Sequence, residues 1–149
     1  KILIIFVLVL LSELPPVAGA AENQFAGSAK CGQCHEKEFN KFKTFSKMSR
    51  SWAAIEIMAS DLSDEELDKC YRCHTTGYGQ GGFVSYEKTP HLAEVGCECC
   101  HGPGARHIEE DGDPALIKRL PAVSDCTKCH NPEMIRSRHF NPLMHSGAH

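Results

Sequence analysis

Four times the 149-residue chain repeats one pentapeptide pattern, Cys-x-x-Cys-His: at Cys31, Cys34 and His35; at Cys70, Cys73 and His74; at Cys97, Cys100 and His101; and at Cys126, Cys129 and His130. Nothing else in the chain limits its fold so tightly. Two thiols separated by two residues lie on one edge of a single helical turn. An imidazole directly after the second thiol then faces whatever the sulfurs hold. This is the attachment signal for covalent haem c, with thioether bonds from both sulfurs and the histidine as proximal iron ligand.

Zinc is the plainer use of paired cysteines, because two such pairs build a tetrahedral thiolate site. A zinc ribbon has no need of histidine after each second cysteine, yet histidine follows all four pairs. A thioredoxin-like redox motif is expected once, within a βαβ unit, and not four times. Disulfide scaffolding competes only weakly, since eight of the nine cysteines lie at the motif positions. Cys99, inside the third motif, is the ninth and has no assigned role. The sequence therefore implies four covalent haem c groups.

The N-terminus reads as a secretory leader. Lys1 begins a short basic region, Ile2 to Leu11 is unbroken apolar sequence, and Ala18-Gly19-Ala20 has the form of a cleavage site. Ten apolar residues span about 15 Å as helix, against a hydrocarbon core of about 30 Å. An uncleaved anchor, and with it membrane association through the N-terminus, is the alternative. Residues 1–20 are thus expected to be a signal peptide, and 21–149 a single domain in the periplasm or another extracytoplasmic space, where thiols and haem are joined. The formal charge of -3 gives no support to nucleic-acid binding. It suits docking to the basic or mixed surface of a redox partner.

Little aliphatic sequence remains beyond the leader. The expected fold is mainly α with extensive loops, a compact multihaem cytochrome c in which four haems form the core and staple it. Phe39, Phe42, Phe45, Met48, Trp52, Ile55 and Ala59 recur at three- and four-residue steps, which predicts one amphipathic helix after the first motif. Lys37, Lys41, Lys43, Lys47 and Arg50 fall largely off that stripe as a solvated face or docking patch. Ser63 and Glu66 have the form of a capping box starting a helix that runs into Cys70. Residues 75–82 read as a flexible glycine-rich loop, Phe83 to Tyr86 as a short strand, and Gly102-Pro103-Gly104 as a helix stop. The acidic runs at 64–66 and 109–111 read as solvated surface.

Five histidines remain for the far side of the irons: His91, His107, His139, His145 and His149. A second histidine closes the iron, a methionine raises its potential, and an open position admits chemistry. His107 ranks first as distal ligand because it follows the Gly-Pro-Gly bend and can cross to a neighbouring haem. His91, His145 and His139 come next, and His149, the last residue, is weakest. Met48, Met58, Met134 and Met144 are further candidates, although Met48 also fits the helix stripe.

Over Phe25 to Asn131 the chain resembles the tetrahaem cytochrome c-554 family. The residues that carry the resemblance are Cys73 to Phe83, reading CHTTGYGQGGF, and Val95 to Gly104, reading VGCECCHGPG, with His107 soon after. The resemblance implies a mostly helical fold with porphyrins in stacked and near-perpendicular pairs, and electron relay in the periplasm. One family member accepts electrons from a hydroxylamine-oxidising enzyme. Related tetrahaem chains assemble into extracellular filaments in which one subunit supplies a distal histidine to its neighbour. Family members often carry a distal histidine in the helix after the first motif, where this chain has Lys47, Met48 and Arg50. The family carries His107 over as a distal ligand.

Three functions follow as expectations. The first is an electron carrier between a redox donor and acceptor, not an enzyme. The second is an oxidoreductase acting on a small nitrogen or sulfur species at one open iron. The third is a self-assembling subunit of a haem filament.

Overall fold

The computed structural model describes residues 24–132. Seven α-helices follow in chain order: α1 (Ser28–Cys31), α2 (Glu36–Phe45), α3 (Trp52–Met58), α4 (Asp64–His74), α5 (Glu98–His101), α6 (Ala105–Glu109) and α7 (Val123–Thr127). Single 3-10 turns cover Lys47–Arg50, Ala59–Asp61, Pro90–Leu92 and Pro114–Leu116. No strand occurs among the described residues, so the fold is helical with long connections. The leader, and with it the signal-peptide reading, lies outside the described residues, as do His139, His145 and His149. No helix among the described residues is long and apolar enough to cross a membrane.

The single helix expected after the first motif is broken. α2 begins with Glu36 and Glu38 in its first turn and carries Lys43 in its last, each on the favoured side of the helix dipole. It stops at Ser46, whose backbone is extended at φ -84° and ψ 125°. The Ser46 hydroxyl then accepts from the Met48 N–H, and buried Ser49 donates to the Ser46 carbonyl at 2.8 Å. Short hydroxyl side chains offer the backbone a competing partner, and here they win. The break rotates Phe45 out of the apolar stripe, leaving it 74% exposed, while Phe42 and Ile55 stay buried. Lys37, Lys41, Lys43, Lys47 and Arg50 are all exposed.

α4 forms as its sequence indicates. The Glu66 carboxylate reaches back to both the N–H and the hydroxyl of Ser63, and the helix delivers the second motif in its last two turns. After it, the expected loose loop is partly a fixed structure. Thr75 and Thr76 are buried, and Gly77 accepts from both Gln80 and Gly82 to close a tight turn. Gly77 sits at φ +71° under the Phe25 ring, where a Cβ would come within 2.5 Å. The short strand expected at Phe83 to Tyr86 is absent. Phe83 pairs only with the Thr76 carbonyl, and Val84 and Tyr86 turn outward. Gly102, at φ +82°, ends α5 where the Gly-Pro-Gly stop was expected. The acidic runs 64–66 and 109–111 are exposed.

The buried apolar core among the described residues is thin: Phe42, Ile55, Phe83, Leu92 and Ala93. Burying a side chain such as Phe83 contributes about 1.5–3 kcal/mol, so five cannot hold the fold unaided. Buried polar groups make up part of the difference. Glu98, 3% exposed, accepts from Ala26 N–H, Gly27 N–H and Gly104 N–H, each at 2.8 Å. Thr76 donates to the Glu94 carbonyl and accepts from Gly96 N–H, while its own N–H reaches Leu92. Glu98→Ala is expected to lower stability by about 3 kcal/mol or more, because three backbone donors lose a charged acceptor. Glu98→Gln should retain part of that. Denaturant midpoints of the two variants against the parent measure it, and equal midpoints for all three would refute the tie.

Candidate functional site

Each of the four motifs is wound as a turn. The His35, His101 and His130 N–H groups donate to the carbonyls of Cys31, Cys97 and Cys126 at 2.9, 3.0 and 2.9 Å. The second motif is the end of α4 itself. In each case the first cysteine and the histidine stand one helical turn apart, as covalent attachment requires.

The imidazoles are oriented from behind. His74 Nδ1 lies 3.1 Å from the Ser51 carbonyl, and His101 Nδ1 lies 2.7 Å from that of Lys118. His107, outside any motif, has the same arrangement, with Nδ1 2.8 Å from the Asp113 carbonyl. A ring that donates Nδ1–H to a carbonyl presents Nε2 as a lone pair, the usual posture of a metal ligand. Ser51 is itself fixed, donating its hydroxyl to the His74 carbonyl at 2.8 Å and accepting from Val95 N–H. Glu94 accepts from Trp52 N–H and the Ser51 hydroxyl.

Motifs far apart in sequence come together. Cys31 neighbours Cys97, bringing the first motif to the third, and Cys129 neighbours Cys73, bringing the fourth to the second, while the Cys31 and Cys129 thiols point to the Gly27 and Arg72 carbonyls at 3.7 and 3.9 Å. In the free thiol form one sulfur of each pair is pulled down by its neighbour, Cys97 to about 6 and Cys73 to about 7, and the other, Cys31 or Cys129, is raised. The His107 ring lies against His35 of the first motif, with centroids 6.3 Å apart and planes 15° from parallel. His91 is exposed and borders a cavity of about 210 Å³ with Ser28, Phe42, Lys43, Ser49 and Glu94. Met48 is half-buried. Among the described residues no three or more His, Cys, Asp or Glu side chains converge to hold a metal ion, as a tetrahedral zinc site would require.

Several positioning residues escaped the sequence reading. Glu98, Ser51, Glu94 and Thr76 connect the motifs, and only Glu98 carried a signal, as a charge placed between two motif cysteines. Cys99 is structural as well: its thiol donates toward the Thr75 carbonyl and the Thr76 hydroxyl at 3.6 and 3.4 Å, and burial pushes it up. Asp125 anchors the fourth motif. Hydrogen bonds from Lys118 first, then from Ala122 N–H and Lys128, hold its carboxylate at about 2.

Residues 30–102 match the family described as cytochrome c554 and c-prime. Cytochrome c-554 of Nitrosomonas europaea is 32% identical over 100 residues, which is 57% of this chain and 41% of that protein. The C-type polyheme cytochromes OmcB and OmcC of Geobacter sulfurreducens are 32% and 30% identical over 95 and 94 residues. Those matches cover 53% and 50% of this chain and 12% of each relative. The chain thus spans less than half the length of these relatives, and no solved structure matches it. The paired-thiol turns and these likenesses define a multihaem c-type cytochrome, a class that binds haem c covalently and transfers electrons. Over residues 30–102, just under half of its length, the chain is similar to the cytochrome c-554 family.

The Asp125 anchor carries a pH dependence with a definite sign. Its folded value lies below the ordinary 3.8, so its stabilising effect is complete above about pH 4 and is lost as pH falls toward 2. Acid titration should show the parent more stable than Asp125→Asn near neutrality, with the difference shrinking across that window. A constant difference down to pH 2 would contradict the assignment.

Proposed function

We propose that this chain is an exported tetrahaem c-type cytochrome that relays electrons between a redox donor and acceptor in the periplasm. Haem bound at each motif supplies a one-electron ferric–ferrous couple. Cys31 and Cys34, Cys70 and Cys73, Cys97 and Cys100, and Cys126 and Cys129 would hold the four groups. His35, His74, His101 and His130 would stand on the proximal side of the irons. The thin apolar core and the outward-facing Phe45, Ile57, Leu120 and Val123 fit a fold completed by large apolar groups.

The observation that carries the reading is the pair His35 and His107. Two imidazoles on opposite faces of one metal, at about 2.0 Å per nitrogen, stand roughly 6 Å apart centroid to centroid. The 6.3 Å separation and the near-parallel planes fit that spacing, and the Asp113 carbonyl, on Nδ1, leaves Nε2 of His107 as the nitrogen for a metal. On this reading His107 would be the distal ligand for the first motif, which would close that iron to substrates and favour relay over catalysis. Contact between motifs one and three, and between two and four, supports a relay because it brings redox sites together along the chain.

Mass spectrometry of the exported protein should read the polypeptide plus four haems, and a smaller count would overturn the tetrahaem assignment. His107→Ala should leave that mass lower only by the side chain. At low temperature its ferric EPR spectrum should gain one high-spin centre at the expense of one low-spin centre. An unchanged set of low-spin signals would remove His107 from the iron.

A further inference from the structure

The chain contains one tryptophan and three tyrosines, and all four meet in a single cluster although they come from positions 52, 71, 78 and 86. Trp52 is 5.0 Å from Tyr86 and 6.1 Å from Tyr71 by ring centroid, and Tyr71 is 5.3 Å from Tyr78. Phe83 fills the centre, within 5.3–6.5 Å of Trp52, Tyr71 and Tyr78. Packing alone asks for rings and not for hydroxyls. Phenylalanine serves that purpose elsewhere, at Phe39 and Phe42. Every side chain that yields an electron as phenol or indole is gathered here instead.

The cluster is joined to the second motif at two points. Tyr71 directly follows Cys70, and Trp52 directly follows Ser51, whose carbonyl orients His74. Its outer members reach proton acceptors. Tyr86 is 49% exposed to water, and the Tyr78 hydroxyl donates to the Asp68 carboxylate. The neighbouring groove of about 500 Å³, lined by Arg72, Tyr78, Phe83 and Val84, opens this side to small solutes.

We propose that Trp52, Tyr71, Tyr78 and Tyr86 form an electron-donating chain that drains oxidising equivalents from the second haem site when it meets a peroxide. The proposal rests on haem attachment at Cys70 and Cys73. Hydrogen peroxide takes up two electrons and two protons to give two molecules of water. Tyr78 supplies one electron and passes its phenolic proton to Asp68. Tyr86 supplies the second electron and releases its proton to solvent. Trp52 and Tyr71 relay between these ends and the motif. The products are two phenoxyl radicals at the surface, where soluble reductants reach them, and the porphyrin is spared.

The test uses the haem-loaded protein treated with hydrogen peroxide. Haem content is first fixed by mass, so that a failure there falls on the underlying assignment and not on the aromatic chain. The parent should develop an organic-radical EPR signal, with oxidation products mapping to Tyr78 and Tyr86. Tyr78→Phe and Tyr86→Phe keep the ring packing and remove the ionisable hydroxyl. The double variant should retain haem content and melting temperature, lose the radical and the oxidation products at the surface positions 78 and 86, and bleach its Soret band several-fold faster. Bleaching at the parent rate in the double variant would overturn the proposal. So would oxidation products confined to methionine and Cys99.

Discussion

One buried carboxylate ties together the parts of this molecule that must not move apart. Glu98 sits between the cysteines of the third motif and accepts N–H groups from Ala26 and Gly27, just before α1, and from the bend at Gly104. A carboxylate removed from water costs several kcal/mol unless its oxygens are occupied, and here three donors occupy them. The same residue therefore belongs to an attachment loop and to the central tie of the fold. With so few apolar side chains buried, the networks around Glu98, Thr76, and Ser51 with Glu94 do much to decide which segments meet. Close approach reinforces them: at Gly96, next to Cys97, a Cβ would stand 2.5 Å from the Ser28 hydroxyl.

Local features were legible in the sequence and tertiary ones were not. The motif turns, the Ser63–Glu66 cap and the stop at Gly102 each depend on residues within five positions of one another, so the pattern alone contains them. The break at Ser46 escaped because apolar periodicity is blind to serine hydroxyls competing for the same backbone. Phe83 to Tyr86 has the composition of a strand, but no second strand is present among the described residues to pair with it. Burial of Thr75 and Thr76 reflects partners some 20 residues later, which no local window contains. His107 stood out because of the bend before it, whereas its neighbour His35 could be found only in three dimensions.

The family match at residues 30–102 covers three of the four motifs. The fourth lies beyond it yet is wound the same way and rests on the second, with the Cys129 thiol directed at the Arg72 carbonyl. Residues 47–50 follow directly on the end of α2 and its Ser46 cap. There a 3-10 turn stitched by serines leaves Lys47 and Arg50 in solvent and Met48 half-covered. That region supplies no imidazole.

Contact between motifs distant in sequence has a consequence for biogenesis. A polypeptide threaded through a translocon from its amino end presents Cys31, Cys34 and His35 well before Cys97 or His107 emerges. On the proposed reading, the ligation machinery would work on an extended, unpaired segment, and its first product would wait, half-coordinated, for the remainder of the chain. Maturation of such a protein is governed by the order of delivery as much as by the affinity of any one site.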